Sequence, residues 1–467
     1  MRLFVLSFLL LVPTFSHAAD FDAQSLSMLW AIPFVGILLS IALFPLFAPH
    51  FWEHHYGKVT LIWGLLFIIP FYVTFGSYMT GMVLAHALIE EYIPFILLLG
   101  ALFTISGSIH IAGDFHATPK FNTGILAIGT LLASVMGTSG AAMLLIRPLL
   151  KANQHRDVKA HVVVFFIFLV ANVGGGLTPL GDPPLFLGFL KGVSFAWTFE
   201  HMLVPVLITS VILLIIFYIF DSIVFKKDLF DAEHIKKDNM SFSIQGKVNF
   251  ILLAGVIGSI LLSGVWKPNI QWEILGAHIK LENLTRDLLL LTLIILSLVL
   301  IPKKIRENNH FNWHPILEVG KLFLGIFITI FPVIAMLKVG QEGHFGSLIA
   351  LMHDQTGEPI NLMYFWITGI LSGVLDNAPT YLVFFNLAGG EAQELMGPLY
   401  HTLLAISMGS VFLGALTYIG NAPNFMVKAI AEQSGVKMPS FFGYMAYSIV
   451  FLLPVYAFVS WLVLVVF

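Results

Sequence analysis

The chain has 467 residues, of which 58% are hydrophobic and only 10% are charged, and its mean hydropathy is +0.92. This balance excludes an ordinary soluble protein and is typical of a polytopic membrane protein. The formal net charge of −3 argues against a nucleic-acid partner. The absence of cysteine excludes disulfides, thiolate metal sites and cysteine nucleophiles.

The amino-terminal residues have the pattern of a secretory leader. Arg2 precedes an apolar run over residues 3–15, and Ser16-His17-Ala18 follows as a small-x-small cleavage pattern. We therefore expect residues 1–18 to be a signal peptide, with an uncleaved short first helix as the alternative. In both cases the mature amino terminus is expected outside.

Ten apolar windows that follow are long enough to cross a bilayer. They lie at about 27–49, 59–79, 91–111, 160–190, 201–224, 248–266, 287–301, 319–337, 398–429 and 441–467. Two further apolar segments, about 122–150 and 361–387, hold a cluster of Gly, Pro and polar residues near their middle, which predicts re-entrant hairpins. The sequence thus predicts an all-α polytopic membrane protein with about ten transmembrane helices.

Positive charge gives these helices a direction, because short cytoplasmic loops collect Lys and Arg. The loops and segment ends that the window count places inside contain Lys120, Arg147, Lys151, Arg156, Lys159, Lys226, Lys227, Lys236, Lys237, Lys303, Lys304 and Arg306. The outside loops 79–91 and 387–397 contain neither residue type. Since five crossings per half is an odd number, the second half is predicted to be inverted. The predicted units are a first repeat over 19–224, a cytoplasmic linker over 225–247 and a second repeat over 248–467.

An internal repeat with a spacing of 239 residues supports this division. It relates Gly175, Leu177, Thr178, Gly181 and Pro184 to Gly414, Leu416, Thr417, Gly420 and Pro423, and Gly137-Thr138-Ser139-Gly140 to Asp376-Asn377-Ala378-Pro379. A weaker match, at a spacing of 225, relates residues 99–105 to 324–330, and chance similarity between apolar helices is its alternative. Helix-breaking motifs repeated in both halves indicate a transporter whose site lies between discontinuous helices.

The predicted crossing at 160–190 is too long to be one straight helix. Residues 161–190 would span roughly 45 Å, against a hydrocarbon core of about 30 Å. The segment from Thr178 to Pro184 interrupts it, because proline removes amide donors and glycine tolerates unusual torsions. Irregular backbone at membrane depth is tolerated where it lines a protein cavity, and a desolvated cation can bind the freed carbonyls. The segment from Thr417 to Asn424 repeats this pattern, with Asn421 at the position of Asp182.

These motifs resemble those of the ion transporter superfamily, which includes divalent-anion/sodium symporters, citrate transporters, arsenite carriers and sodium/proton antiporters. The resemblance covers about residues 27–467, and it rests on the pairing of residues 375–380 with 420–424. It implies that each hairpin tip and its neighbouring unwound helix form a cation site, with substrate between the tips. One implied site contains Thr138, Ser139, Thr178, Gly181 and Asp182, and the other contains Asp376, Asn377, Thr380, Thr417, Gly420, Asn421 and Asn424.

The resemblance further implies a carrier and not an enzyme, in the bacterial inner membrane, with a small ion as substrate. Sodium is expected as the transported or coupling ion, without any other cofactor. A homodimer in the lipid bilayer is the assembly to test. No nucleotide-binding Gly-Lys motif is present in the sequence, so primary active transport by this chain is not expected.

Departures from the family pattern narrow the function. Dicarboxylate carriers place Ser-Asn-Thr at both hairpin tips, and neither tip here matches. Intramembrane Asp182 and Asp376 should repel an anionic substrate, attract a hard cation such as sodium and exchange it for a proton. The sequence therefore predicts a sodium/proton antiporter. A sodium- or proton-coupled citrate or dicarboxylate carrier is the alternative, and a pore with the hairpins as selectivity filter is a third class.

Structural roles compete with functional ones at three of these residues. The alternative role of Asp376 is that of a helix cap alone, and the alternative for Asp182 is that of a turn residue. Arg147 could bind an anionic substrate from its place near the end of the first hairpin. The competing interpretation of Arg147 is a side chain that extends to the inner membrane surface.

Overall fold

A computed structural model describes residues 23–113, 116–227 and 243–466. The predicted signal peptide and most of the predicted linker lie outside the described residues. The longer helices of the first half are α1 (Ile32–Phe47), α2 (Pro49–Ala85), α3 (Ile93–Gly107), α4 (Pro119–Met136), α5 (Thr138–Ala152), α6 (Ala160–Leu169), α7 (Pro183–Leu190) and α8 (Phe195–Lys227).

The second half contains helices of similar length and several shorter ones. They are α9 (Val248–Val265), α10 (Leu281–Leu300), α11 (Lys303–Asn308), α12 (His314–Thr329), α13 (Phe331–Lys338), α14 (Gly346–Leu351), α15 (Asn361–Ser372), α16 (Asn377–Leu387), α17 (Ala392–Met396), α18 (Tyr400–Leu413), α19 (Ala422–Gln433), α20 (Phe441–Tyr447) and α21 (Leu453–Trp461). Two antiparallel strand pairs connect loops: β1 (His110–Ala112) with β2 (Ser243–Gln245), and β3 (Gln271–Ile274) with β4 (Ala277–Lys280).

Each predicted window coincides with helical structure. Within the described residues, seven helical runs are long and apolar enough to span a membrane, or eight when the bent pair α12 and α13 counts as one span. One run, from Pro49 to Gly107, contains two predicted windows, and Gly76 interrupts it with non-helical torsions (φ 80°, ψ 177°). The protein is an all-α polytopic membrane protein, and the number of ten crossings stays a prediction.

Some helices extend beyond their apolar windows. Helix α10 begins at Leu281, six residues before its apolar window begins at 287. The window starts late because the first turns of the helix contain the charged residues Glu282 and Arg286. A hydropathy window omits such polar turns even where the backbone is helical. Helix α8 likewise begins at Phe195 and continues to Lys227, so the first residues of the predicted linker are helical.

Burial separates a central helix from peripheral ones. Of the residues in the most apolar window of Ala160–Leu177, 89% are buried. In Leu281–Leu300 the corresponding share is 17%. Large apolar side chains such as Val73, Val265 and Val299 are exposed on the outer surface. This apolar surface is the one that a bilayer would cover.

The two predicted hairpins are present, and each packs against the opposite half of the molecule. Helices α4 and α5 pack together and meet at Gly137, and α15 and α16 pack together across residues 373–376. The second arm of each hairpin also contacts the broken helix of the opposite half, α5 with α19 and α16 with α7. These two contacts are equivalent under the spacing of 239 residues, so the hairpin tips meet near the centre of the molecule.

Contacts between loops fall into two groups. At one end, β1 pairs with β2, and the Asn309 amide donates to the carbonyl of Gly107 at 3.0 Å. At the other end, Glu90 accepts from the backbone N–H of His278 at 2.6 Å. The first group contains loops that the charge pattern places inside, and the second contains loops placed outside. The orientation in a membrane stays a prediction.

Candidate functional site

Both broken helices are attached to the hairpin of their own half in the same way. The Thr178 hydroxyl donates to the carbonyl of Ser134 at 2.5 Å, and the Thr417 hydroxyl donates to the carbonyl of Gly373 at 2.6 Å. The same hydroxyls accept from the N–H groups of residues 180 and 419. Each residue in the first set of bonds has its counterpart in the second set 239 positions later in the sequence. Thr178 and Thr417, predicted as ion ligands, therefore hold the unwound segments in place.

Glycine is required where each unwound segment folds back on itself. A Cβ atom at Gly181 would lie 2.2 Å from the carbonyl oxygen of Gly175, and one at Gly420 would lie 2.6 Å from that of Gly414. Both distances are shorter than any ordinary contact. These glycines were predicted as site residues, and in the structure they let two backbone segments approach beneath the hairpin tips.

Asp182 is the residue on which the two halves converge. Its Oδ1 accepts from the Thr138 hydroxyl at 3.2 Å and from the Asn421 amide at 3.0 Å, while Oδ2 accepts from the Asn377 amide at 2.5 Å. The carboxylate is 2% exposed and makes no capping hydrogen bond to α7. Asp182 is thus more than a turn residue. The sequence placed Asp182 and Asn421 in separate sites, whereas the structure joins these repeat equivalents directly.

Asp376 occupies the tip of the second hairpin and does cap a helix. Its Oδ1 accepts from the backbone N–H of Ala378 at 3.0 Å. Gly137 holds the equivalent place in the first hairpin, and both residues have positive φ, 157° for Asp376 and 78° for Gly137. The cap that the sequence offered as an alternative for Asp376 is therefore present, and one carboxylate oxygen takes part in it.

Sequence reasoning missed Asn172, which connects the two unwound segments. Its amide donates to Asn424 Oδ1 at 2.7 Å, and its Oδ1 accepts from Asn421 at 3.3 Å. Asn424 itself donates to the carbonyls of Gly414 and Thr417, both at 2.9 Å. Asn424 therefore satisfies carbonyls of its own broken helix. The available signal for Asn172 was an amide at the end of the apolar run 161–171.

The remaining predicted residues lie at the tips. The Thr380 hydroxyl donates to the carbonyl of Asp376 at 2.6 Å, one turn earlier in the same helix. Ser139 is half-buried at the start of α5 and lines a cavity. The structure therefore brings Thr138, Ser139, Asp182, Asn377 and Asn421 into one cluster, which we call the tip cluster.

A cavity of about 860 Å³ extends from the tip cluster towards the loops that are predicted inside. Asp182, Asp376, Asn377, Asn421 and Ser139 line its inner end. Its walls come from α3, α5, α12 and α19, and its other end is lined by charged and polar residues: Glu53, His54, Arg147, His310, Asn312, His314, Glu318 and Gln433. The tip cluster is therefore accessible from one end of the molecule in this conformation.

The titratable groups at the inner end of the cavity are the carboxyl groups of Asp182 and Asp376, and their hydrogen-bond donors among the described residues are neutral. The ion pairs found among the described residues include neither Asp182 nor Asp376. A buried carboxylate without a basic partner is costly unless it binds a proton or a cation. In the described part of the chain, no group of three or more His, Cys, Asp or Glu residues could hold a metal ion. The oxygen-rich tip cluster suits a hard monovalent cation better than a transition metal.

The fold and the site define a polytopic membrane protein with a buried polar site, and the family and the relatives are transporters and not enzymes. The chain belongs to a family described as putative citrate transport, whose model matches residues 23–464. It is 25% identical to an uncharacterized transporter of Synechocystis over 370 residues, 73% of this chain and 76% of the relative. It is also 25% identical to an uncharacterized transporter of Mycobacterium tuberculosis, over 67% of this chain and 69% of the relative. A 46 kDa membrane protein of Mycobacterium leprae is 22% identical over 70% of this chain and 73% of its own length.

Proposed function

We propose that the protein is a sodium/proton antiporter of the bacterial inner membrane, with Asp182 as the group that binds sodium and protons alternately. The observation that supports this proposal is the burial of the Asp182 carboxylate among hydroxyl and amide donors, without a basic partner among the described residues. Such a group strongly favours a neutral state, which either a proton or a sodium ion provides.

Mutually exclusive binding would couple the two ions. A proton on Asp182 removes the charge that attracts sodium, and sodium at Asp182 removes the reason to bind a proton. Oxygen atoms for sodium are available from Asp182 in the first unwound segment and from Thr138, Ser139 and Asp376 at the hairpin tips. The empty anionic form is the costly one, so reorientation without a bound ion should be slow. That difference in rate is what prevents uncoupled leakage.

Proteoliposomes provide the direct test. An imposed pH gradient should collapse when sodium or lithium is added to vesicles that contain the protein, and potassium should have a much weaker effect. Asp182→Asn should abolish the sodium-dependent collapse while the protein remains monodisperse in detergent. A pH gradient that is indifferent to sodium and lithium over a broad pH range would overturn the proposal.

Cation-coupled transport of an organic carboxylate is the second candidate. The cavity volume of about 860 Å³ favours it, because this is far more than a dehydrated ion needs and lies near the upper end of pockets for organic ligands. Counterflow with labelled citrate or succinate in the same vesicles distinguishes the candidates. Accumulation of label driven by a sodium or proton gradient would establish carboxylate transport, and its absence alongside sodium-dependent proton movement would exclude it.

A further inference from the structure

Arg147 is a cation inside the cavity that the proposed function does not use. It lies on α5, and Ser139, Met143 and Arg147 occur at intervals of four residues along the face of this helix that lines the cavity. The Nη1 atom of Arg147 is buried and has no hydrogen-bond partner among the residues that the structure describes. A guanidinium keeps its charge at all physiological pH values, so it cannot avoid this cost by losing a proton.

Buried nitrogens without a hydrogen-bond partner occur in other described arginines as well, but those side chains form ion pairs through another nitrogen, whereas no ion pair among the described residues includes Arg147. Arg156 Nη1 lies 2.7 Å from Asp221 Oδ1, and Arg286 Nε lies 2.8 Å from Asp287 Oδ1. Arg306 donates to three backbone carbonyls near the end of α10. The sequence also allowed Arg147 to reach the inner membrane surface, which would leave its nitrogen atoms in water. The burial of Nη1 argues against that interpretation.

We propose that Arg147 is the anchor of a binding site for a carboxylate-bearing organic anion in the cavity that Arg147 and His310 both line. A planar guanidinium can bind a carboxylate through two parallel hydrogen bonds, and the anion would satisfy the buried nitrogen. Leu99, Phe103 and Phe323 supply apolar walls for the hydrocarbon part of such a ligand.

The site is separate from the tip cluster. Arg147 follows Ser139 by eight positions on α5, which corresponds to about 12 Å along the helix axis. The site therefore does not depend on sodium/proton exchange, and an anion at Arg147 could occupy the cavity in either proposed function.

Two acidic residues could compete with a bound anion. Glu53 and Glu318 line the same end of the cavity, and Glu318 lies 3.8 Å from His314. If a change of conformation paired Arg147 with Glu53, removal of that carboxylate would leave the guanidinium more available. Glu53→Gln should then strengthen anion binding, because the carboxylate that competes with the anion is gone. The positive charge of Arg147 is unchanged in this variant.

Equilibrium binding of radiolabelled citrate to the purified chain in nanodiscs tests the proposal, at constant pH and without sodium. Wild-type protein should show saturable binding that unlabelled succinate displaces and chloride does not. Arg147→Gln should weaken citrate binding at least about tenfold, in line with the strength of charge-assisted hydrogen bonds. Arg147→Lys should retain only part of the affinity, and the exposed Lys304→Gln variant should bind as wild type does.

Three results would overturn the proposal. The first is the absence of saturable citrate binding by the wild-type protein. The second is unchanged affinity in Arg147→Gln. The third is displacement by inorganic phosphate and not by carboxylates, which would contradict the assigned ligand class. Where Arg147→Gln does not yield monodisperse protein, the comparison of Arg147→Lys with wild type decides, because lysine keeps the charge and loses the two parallel hydrogen bonds.

Discussion

Asp376 caps α16 through the N–H of Ala378, whereas within the described part of the chain the Asp182 carboxylate accepts from side chains of three other segments. The two intramembrane carboxylates therefore have different local roles, although the sequence presents both as aspartates beside helix-breaking prolines. A cap needs an oxygen but no charge, and asparagine supplies it nearly as well. Substitution by asparagine can thus separate the structural role from the ionic one at each position.

Asp376→Asn should leave the fold intact and impair ion exchange, if the second oxygen of Asp376 contacts the transported ion. The cap would persist, so we expect a change of less than about 1 kcal/mol in the free energy of unfolding. Thermal unfolding in detergent and sodium-dependent collapse of a pH gradient measure the two effects. Retained exchange with a normal sodium dependence would reduce Asp376 to a cap.

Asp182→Asn and Asn421→Ala should differ in kind, because only the first removes a titratable group. Asp182→Asn should abolish the pH dependence of transport or transport itself. Asn421→Ala removes one neutral donor to Asp182, and we expect sodium affinity to fall about ten- to a hundredfold while pH dependence persists. Sodium affinity measured across a pH series compares them. Active Asp182→Asn protein with a wild-type pH profile would exclude Asp182 as the exchanging group.

The sequence identified the hairpin tips and the unwound segments better than the contacts between them. The spacing of 239 residues identified both tips and both unwound segments, because glycine, proline and threonine are needed locally at each break. It could not show that Asp182 and Asn421 bond to each other, since a repeat gives equivalent positions and not the way in which two copies meet. Asn172 was missed because its position in the other half is Val411, so the repeat gives no signal there.

At the scale of elements, the two breaks depend on glycines that allow the chain to fold back beneath each tip. Gly181 lies against Gly175 and Gly420 lies against Gly414, in contacts that leave no room for a side chain. The length of the apolar segment and its Gly and Pro residues predicted the break, but only the packed structure shows which atoms face each glycine. Steric substitution is therefore the appropriate test of the fold at this level.

Gly181→Ala should destabilise the protein by at least about 1 to 3 kcal/mol, since the new methyl group would overlap the backbone oxygen of Gly175. Gly124→Ala is a matched control on α4, because a Cβ atom at Gly124 meets nothing within 4 Å. The control should be neutral or slightly stabilising. Thermal unfolding and the yield of monodisperse protein compare the two variants. Equal stability would show that the unwound segment shifts freely.

At the scale of the whole molecule, the loops predicted inside and outside form two separate sets of contacts. Single cysteines in this cysteine-free chain can assign these ends to the two sides of the membrane. Glu391 and Lys304 are both exposed and lie in opposite sets. Glu391→Cys should react with an impermeant thiol reagent from outside and Lys304→Cys from inside. Reaction of both from the same side would contradict the inverted arrangement.

At the end of the molecule opposite the cavity, an ion pair connects a broken helix to a long membrane helix. Lys191 follows α7, which begins beside Asp182, and its Nζ pairs with Glu91 Oε1 between α2 and α3. Glu91 also lies 3.5 Å from His86 Nε2 and is 4% exposed. The broken helix that carries Asp182 is thus attached to a long membrane helix at the closed end. Opening of that end requires the pair to separate.

Lys191→Met should favour the state in which the closed end opens, because it leaves Glu91 buried with a weaker counter-charge. Removing one partner of a buried pair costs about 3 to 5 kcal/mol, but Lys191 is 24% exposed, so we expect about 1 to 2 kcal/mol. That corresponds to a shift of roughly five- to thirtyfold. A cysteine at Ala422, which is exposed and lines the cavity, should then react faster from the Glu91 side.

The double variant Lys191→Met/Glu91→Gln is the control for this prediction. Its reaction rates should lie closer to those of the wild type, because the buried charge is gone. An unchanged ratio of reaction rates from the two sides would show that the pair stabilises the fold without controlling access to the site.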